Sequence, residues 1–156
     1  MESLMNVSEL YKIAEIELVY RTNVKASQRP LVTSSGEVYQ ILRQCWDENK
    51  IEFVEQFKVL LLNRAGRALG IFEVSTGGVS GTVADPKLIF SAALKANASS
   101  LILAHNHPSG NTAPSAADRA LTKKIKEAGE VLEIAVLDHV IVTTEGYRSL
   151  ADEGEM

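Results

Sequence analysis

Residues 101–129 read LILAHNHPSGNTAPSAADRALTKKIKEAG, and the pattern changes twice within that stretch. Leu101 to His107 is a short, mostly apolar run that reads as a strand. From His107 to Pro114, Pro108, Gly110 and Pro114 interrupt any regular element, so a loop is expected. Ser115 then opens a helix, which should end near Gly129. Downstream, residues 131–143 carry one or two further strands, and Gly146 marks a turn. Immediately upstream, Asp85 followed by Pro86 predicts a helix start, a cap followed by proline at the first helical position, with the helix running to about Asn97.

The rest of the chain continues the alternation. Residues 53–63 predict a strand, Asn63 to Gly66 a turn, and residues 67–75 the returning strand of a hairpin. Residues 75–82 (STGGVSGT) form a glycine-rich loop that lacks the Lys-Ser/Thr ending of a phosphate-binding loop, so it is read as a border of the substrate cleft. Thr33, Ser34 and Ser35 offer caps for a helix over 36–47, with Val38, Ile41, Leu42 and Cys45 on its apolar stripe and Trp46 as a core or partner contact. Residues 21–32, with Pro30, read as a loop. Residues 12–20 (KIAEIELVY) alternate apolar and polar side chains and predict a first strand. The expected order is β-α-β-β-α-β-α-β-β, an α/β sheet with helices packed on its faces. Residues 1–10 and 152–156 are expected to be loose ends.

Composition narrows the function. The chain has 156 residues, enough for one domain with a sizeable core. It is 46% hydrophobic and 23% charged, which excludes a disordered chain. No apolar run reaches membrane-spanning length, and Met1 to Leu10 lacks the basic start and apolar stretch of a signal peptide, so a cytoplasmic location is expected. The single cysteine, Cys45, permits neither an internal disulfide nor a cysteine-rich metal site. The net charge of −4 weighs against binding nucleic acid through phosphates and leaves a protein or peptide substrate open. Lys123, Lys124 and Lys126, followed by Glu127, read as a solvated helix face.

The chemistry gathers at the ends of these elements. His105 and His107 lie two apart on a strand, so both imidazoles point to one face. Alone, that pair reads as two polar residues at a strand end, and Ser115 with Asp118 reads as a capping box. Together they give H-x-H, seven residues, S, two residues, D. The loop is long enough to fold the helix start back and bring Asp118 to the imidazoles. Two histidines and a carboxylate leave a fourth position open, as at a catalytic zinc site.

The run HNHPSGNTAPSAAD (105–118) resembles the JAMM signature of MPN/JAB metalloproteins, and more narrowly the bacterial RadC-like branch. The likeness extends to EQFKVLLLN (55–63), GTVADPKLIFSAALKANASSLILAHNHPSG (81–110) and VLDHVIV (136–142), covering roughly residues 50–150. It implies a single JAB/MPN domain, a mixed sheet flanked by helices with cytidine-deaminase-like layering. On this reading residues 1–50 form an N-terminal strand and helix of the same compact unit, 51–151 the core and 152–156 a tail. It implies Zn²⁺ held by His105, His107 and Asp118, and a glutamate acting as general base. Longer members carry a helix-hairpin-helix DNA-binding segment; its glycine hairpin is not found in residues 1–50, so a nucleic-acid partner rests on family association alone.

Two glutamates could be that base. Glu55 shares a strand face with Phe57, Val59 and Leu61, whereas Glu52 falls on the face of Gln56 and Lys58, which also holds Leu60 and Leu62, and alignment with the family favours Glu55. A carboxylate aimed inward loses solvation and its pKa rises toward the neutral range. The resemblance then implies metal-assisted hydrolysis of a peptide or isopeptide bond, with Ser115 donating to the developing oxyanion. Asp138 and His139 are adjacent on a later strand, so at most one faces the site, in a supporting or packing role. The alternative function is a non-catalytic interaction module in DNA repair or recombination. A nucleobase deaminase would need P-C-x-x-C, and a thermolysin-type protease H-E-x-x-H; neither occurs.

Overall fold

The computed structural model describes residues 12–17, 19–78 and 83–156. Helix α1 spans Ser35–Cys45, followed by strands β1 (Gln56–Leu62) and β2 (Ala68–Thr76), helix α2 (Pro86–Lys95), β3 (Ser100–Asn106), α3 (Ala116–Leu132), β4 (Ala135–Val142) and β5 (Tyr147–Ser149). The strands form one mixed sheet in the order β2-β1-β3-β4-β5. Only β3 and β4 run parallel, joined over the sheet by α3. The remaining neighbours are antiparallel.

Both faces of the sheet are covered, which is why every residue of β1 is buried. On one face Leu60, Leu62, Ile102, Ala104, Val140 and Val142 pack with Val38, Leu42 and Trp46 of the α1 segment. On the other, Val59, Leu61, Leu101 and Leu103 pack with Ile89, Phe90 and Ala93 of α2 and Ile125 of α3. His105 continues the odd-numbered series onto the α2–α3 face. The caps follow the sequence: Ser34 accepts from Glu37 N, and Asp85 accepts from Lys87 N with Pro86 next.

Four expectations are corrected. The described residues 12–17 and 19–20 carry no strand. Among the described residues they join no sheet ladder: Ile13 and Ile16 are exposed, and the Tyr20 hydroxyl donates to Leu69 O of β2 from the side. The strand expected from Phe53 begins at Gln56, because Asp47 O and Lys50 O draw residues 50–54 into successive turns. The tail is tied down rather than loose. Glu155 pairs with Arg119 and Arg148, and Met156 packs on the core.

The fourth correction concerns Gly129, which does not end α3. The helix continues to Leu132 and the left-handed cap falls on Glu133 (φ 57°). Gly129 is needed for a different reason: a Cβ there would sit 2.4 Å from Ile134 O, where the chain doubles back toward β4. Gly129→Ala is therefore expected to lower stability by about 1–2 kcal/mol, because overpacking against backbone outweighs the better helix propensity of alanine. A denaturant midpoint at or above wild type would show that the turn yields without cost.

Between β3 and β4 the register shifts: Leu101 pairs with Val136, but Ile102 pairs with Asp138. Leu137 is the extra residue, and it is 48% exposed. The shift turns His139, opposite Leu103, onto the α2–α3 face and Asp138 onto the other. The glycine-rich loop expected over 75–82 lies partly outside the described residues.

Candidate metal centre

The site is assembled at one end of the sheet from three segments. His105 is the next-to-last residue of β3 and His107 lies just beyond its end, their Nε2 atoms 2.9 Å apart. The start of α3 brings Asp118 over that end, and its Oδ2 lies 3.4 Å from each Nε2. Glu55 enters from the residue before β1, which pairs antiparallel with β3 so that Phe57 sits opposite His105. The ligand atoms of Glu55, His105, His107 and Asp118 all lie within 4.8 Å of one another.

Burial is graded across the cluster. The His105 side chain is 1% exposed, while His107 and Asp118 are 16% and 15% exposed, so the site opens on one side. Burial pushes the Glu55 carboxyl above its ordinary range, against the pull of the two imidazoles. Asp118 moves the other way. Burial opposes its ionisation, but contacts from His105 and His107, with the Ser115 N–H, hold it well below the usual carboxylate range. Its hydrogen bond to Asp118 raises the pKa of His107.

Each side chain is held from outside the cluster. Ser115 Oγ accepts from Asp118 N, and Asp118 Oδ2 accepts from Ser115 N, a reciprocal cap that fixes the carboxylate at the mouth of the helix. Ser115 is thus seen in its capping role. His107 Nδ1 faces Asn111 O at 2.6 Å. A carbonyl can only accept, so Nδ1 carries the hydrogen, and in the neutral ring Nε2 keeps its lone pair for the site. Glu55 N donates to Gly78 O and its carbonyl accepts from Gly77 N, which extends the β1–β2 pairing past the strand end.

Asp138 and His139 divide as their parity requires. Asp138 is turned away, accepting from its neighbour His139 N and from Ser149 Oγ and Ala151 N. His139 stands behind the site, with Nε2 2.7 Å from His105 Nδ1. Glu52 sits exposed in the turn before β1, outside the cluster. Trp46 is buried, with Lys58 Nζ 4.7 Å from its ring centre.

One residue escaped the sequence reading. Asn106, fully buried between the two histidines, points to the opposite face. Its amide donates to Ile51 O and Val54 O and accepts from Gln56 N. That clamp ties the segment bearing Glu55 to the strand bearing His105. A polar amide in an otherwise apolar strand was the available signal, since a buried amide must be bonded.

A family model for the RadC-like JAB domain matches residues 32–155. The chain belongs to the RadC-like JAB domain family. A UPF0758 protein of Flavobacterium johnsoniae is 43% identical over 123 residues, covering 79% of this chain and 52% of the relative. Another from Rubrobacter xylanophilus is 39% identical over 145 residues, 91% of this chain and 61% of the relative. A third from Thermotoga maritima is 40% identical over 144 residues, 92% and 63% respectively. This RadC-like JAB domain therefore spans roughly half to two-thirds of the length of these three relatives, and their names state no activity. Two imidazoles and two carboxylates converging on one point form a donor set that could hold a metal cation. Among the described residues of the RadC-like JAB domain no helix is long and apolar enough to cross a membrane.

Proposed function

We propose that this domain is a zinc-dependent hydrolase of amide bonds, acting on a peptide or isopeptide. The observation that carries the reading is the convergence of Glu55, His105, His107 and Asp118 on one half-open point. His105, His107 and Asp118 would hold the ion; two nitrogens and one oxygen suit zinc better than magnesium or calcium, which favour all-oxygen shells. When bound, zinc supplies Lewis acidity, polarising a carbonyl and acidifying water.

The protein's own groups do the rest. Glu55, lifted toward neutrality by burial, takes a proton from the attacking water and returns it to the leaving amine. The Asp118 cap bond uses a lone pair of Ser115 Oγ. Its hydrogen is left to donate to a developing oxyanion, where one such donor is worth ~3 kcal/mol. Capping and catalysis thus draw on different parts of one hydroxyl.

Protein purified without added metal should contain one zinc per chain, lost in His107→Ala. It should also hydrolyse members of a peptide and isopeptide panel. Stoichiometric zinc persisting in a His105→Ala, His107→Ala double variant would sink the ligand assignment. Full zinc loading with no hydrolysis across the panel would favour a non-catalytic interaction module.

A further inference from the structure

Behind His105 runs a buried chain of hydrogen bonds that the hydrolytic reading does not use. Thr122 Oγ1 lies 2.7 Å from Asp118 O, one turn back along α3. The same oxygen lies 2.5 Å from His139 Nδ1. His139 Nε2 in turn lies 2.7 Å from His105 Nδ1. His105, His139 and Thr122 are all at least 98% buried, so water does not compete for these bonds.

The direction of the chain follows from its end. Asp118 O is a carbonyl and can only accept, so the Thr122 hydroxyl spends its one hydrogen there. Its lone pair then accepts from His139, which must carry hydrogen on Nδ1. In the neutral ring that one hydrogen leaves Nε2 bare, and with the side chain fully buried no water reaches it. A bare Nε2 requires His105 to donate from Nδ1. Reversing the order would set the Thr122 and Asp118 oxygens 2.7 Å apart with no hydrogen between them.

We infer that His139 and Thr122 are positioning residues that commit His105 to present a bare Nε2 to the metal, closing a ring through the interior that joins the ligands His105 and Asp118. The inference rests on the metal reading of the site. The register shift at Leu137 makes it possible, because it brings His139 onto this face. Phe57 flanks both rings, stacked on His105 at 5.8 Å and edge-on to His139 at 5.5 Å, so an apolar residue at 139 would satisfy packing alone.

Chelator-competition titrations with zinc, paired with imidazole ¹⁵N spectra, test the ring. Thr122→Val and His139→Leu should each bind zinc about 10- to 100-fold more weakly. Thr122→Ser, which keeps the hydroxyl, and His139→Gln, whose amide oxygen can accept from His105 Nδ1, should stay near wild type. Thr122→Val keeps the side chain's shape, so it remains informative if His139→Leu fails to fold. In metal-free wild type at a pH where the rings are neutral, both His105 and His139 should carry hydrogen on Nδ1. Wild-type zinc affinity in folded Thr122→Val and His139→Leu, or a neutral His105 protonated on Nε2, would overturn the inference. A wild type that takes up no zinc removes the metal reading instead, while the spectra still decide the tautomers.

Discussion

Glu55→Gln should keep its full zinc content and lose turnover by a factor of ~10² to 10⁴. The amide matches the carboxylate in size and keeps a hydrogen bond, but it cannot accept a proton from water. Glu55 reaches the cluster from a backbone held by Gly77 and Gly78 as well as by Asn106 through its neighbours, so the substitution should leave the backbone in place. The measurement is a rate on any substrate that the panel yields, alongside metal content and folded fraction. Equal turnover in wild type and Glu55→Gln would remove Glu55 from the chemistry.

Asn106→Ala should be strongly destabilising. It strips three backbone groups of their partner at once: Ile51 O, Val54 O and Gln56 N. Each buried group left unpaired costs about 1–3 kcal/mol, so a loss of about 3 kcal/mol or more is expected. For a chain of this length that lowers Tm by roughly 6–12 °C. Because His105 and His107 keep their own supports, the folded fraction should still take up metal. A melting temperature within about 2 °C of wild type would show that residues 51–56 are held by something other than this amide.

Local chemistry made much of the molecule legible in its sequence. The caps at Ser34, Asp85 and Ser115 mark helix starts by residue type, and the short, mostly apolar run Leu101–His107 marks a strand whose period of two carries both imidazoles to one face. Non-local causes hid the rest. The alternation of residues 12–20 is as regular as that of a true strand, but a strand exists only where a neighbour completes its hydrogen bonds. Gly129 has the look of a helix stop, yet its reason is the carbonyl of Ile134 arriving from outside the helix. Asn106 shares its motif with two histidines whose chemistry draws the eye, and its role depends on where residues 51–56 pass. The expectation of a loose tail failed because Glu155 finds Arg119 and Arg148, partners from two different elements.

The extra residue in β4 works like a spacer that sets a reading frame. Ahead of Leu137 the strand is read in one phase, and beyond it in the other. Ironing the bulge flat, so that Leu137 entered the ladder opposite Ile102, would exchange the two halves of the Asp138–His139 pair. The imidazole would swing toward α1, and the carboxylate, now anchoring Ser149 and Ala151, would arrive behind His105. Substitution carries no such consequence, because the Leu137 side chain is half exposed. Position 137 thus acts through the backbone rather than through side-chain chemistry: it matters that the residue stays outside the ladder, and little which one it is.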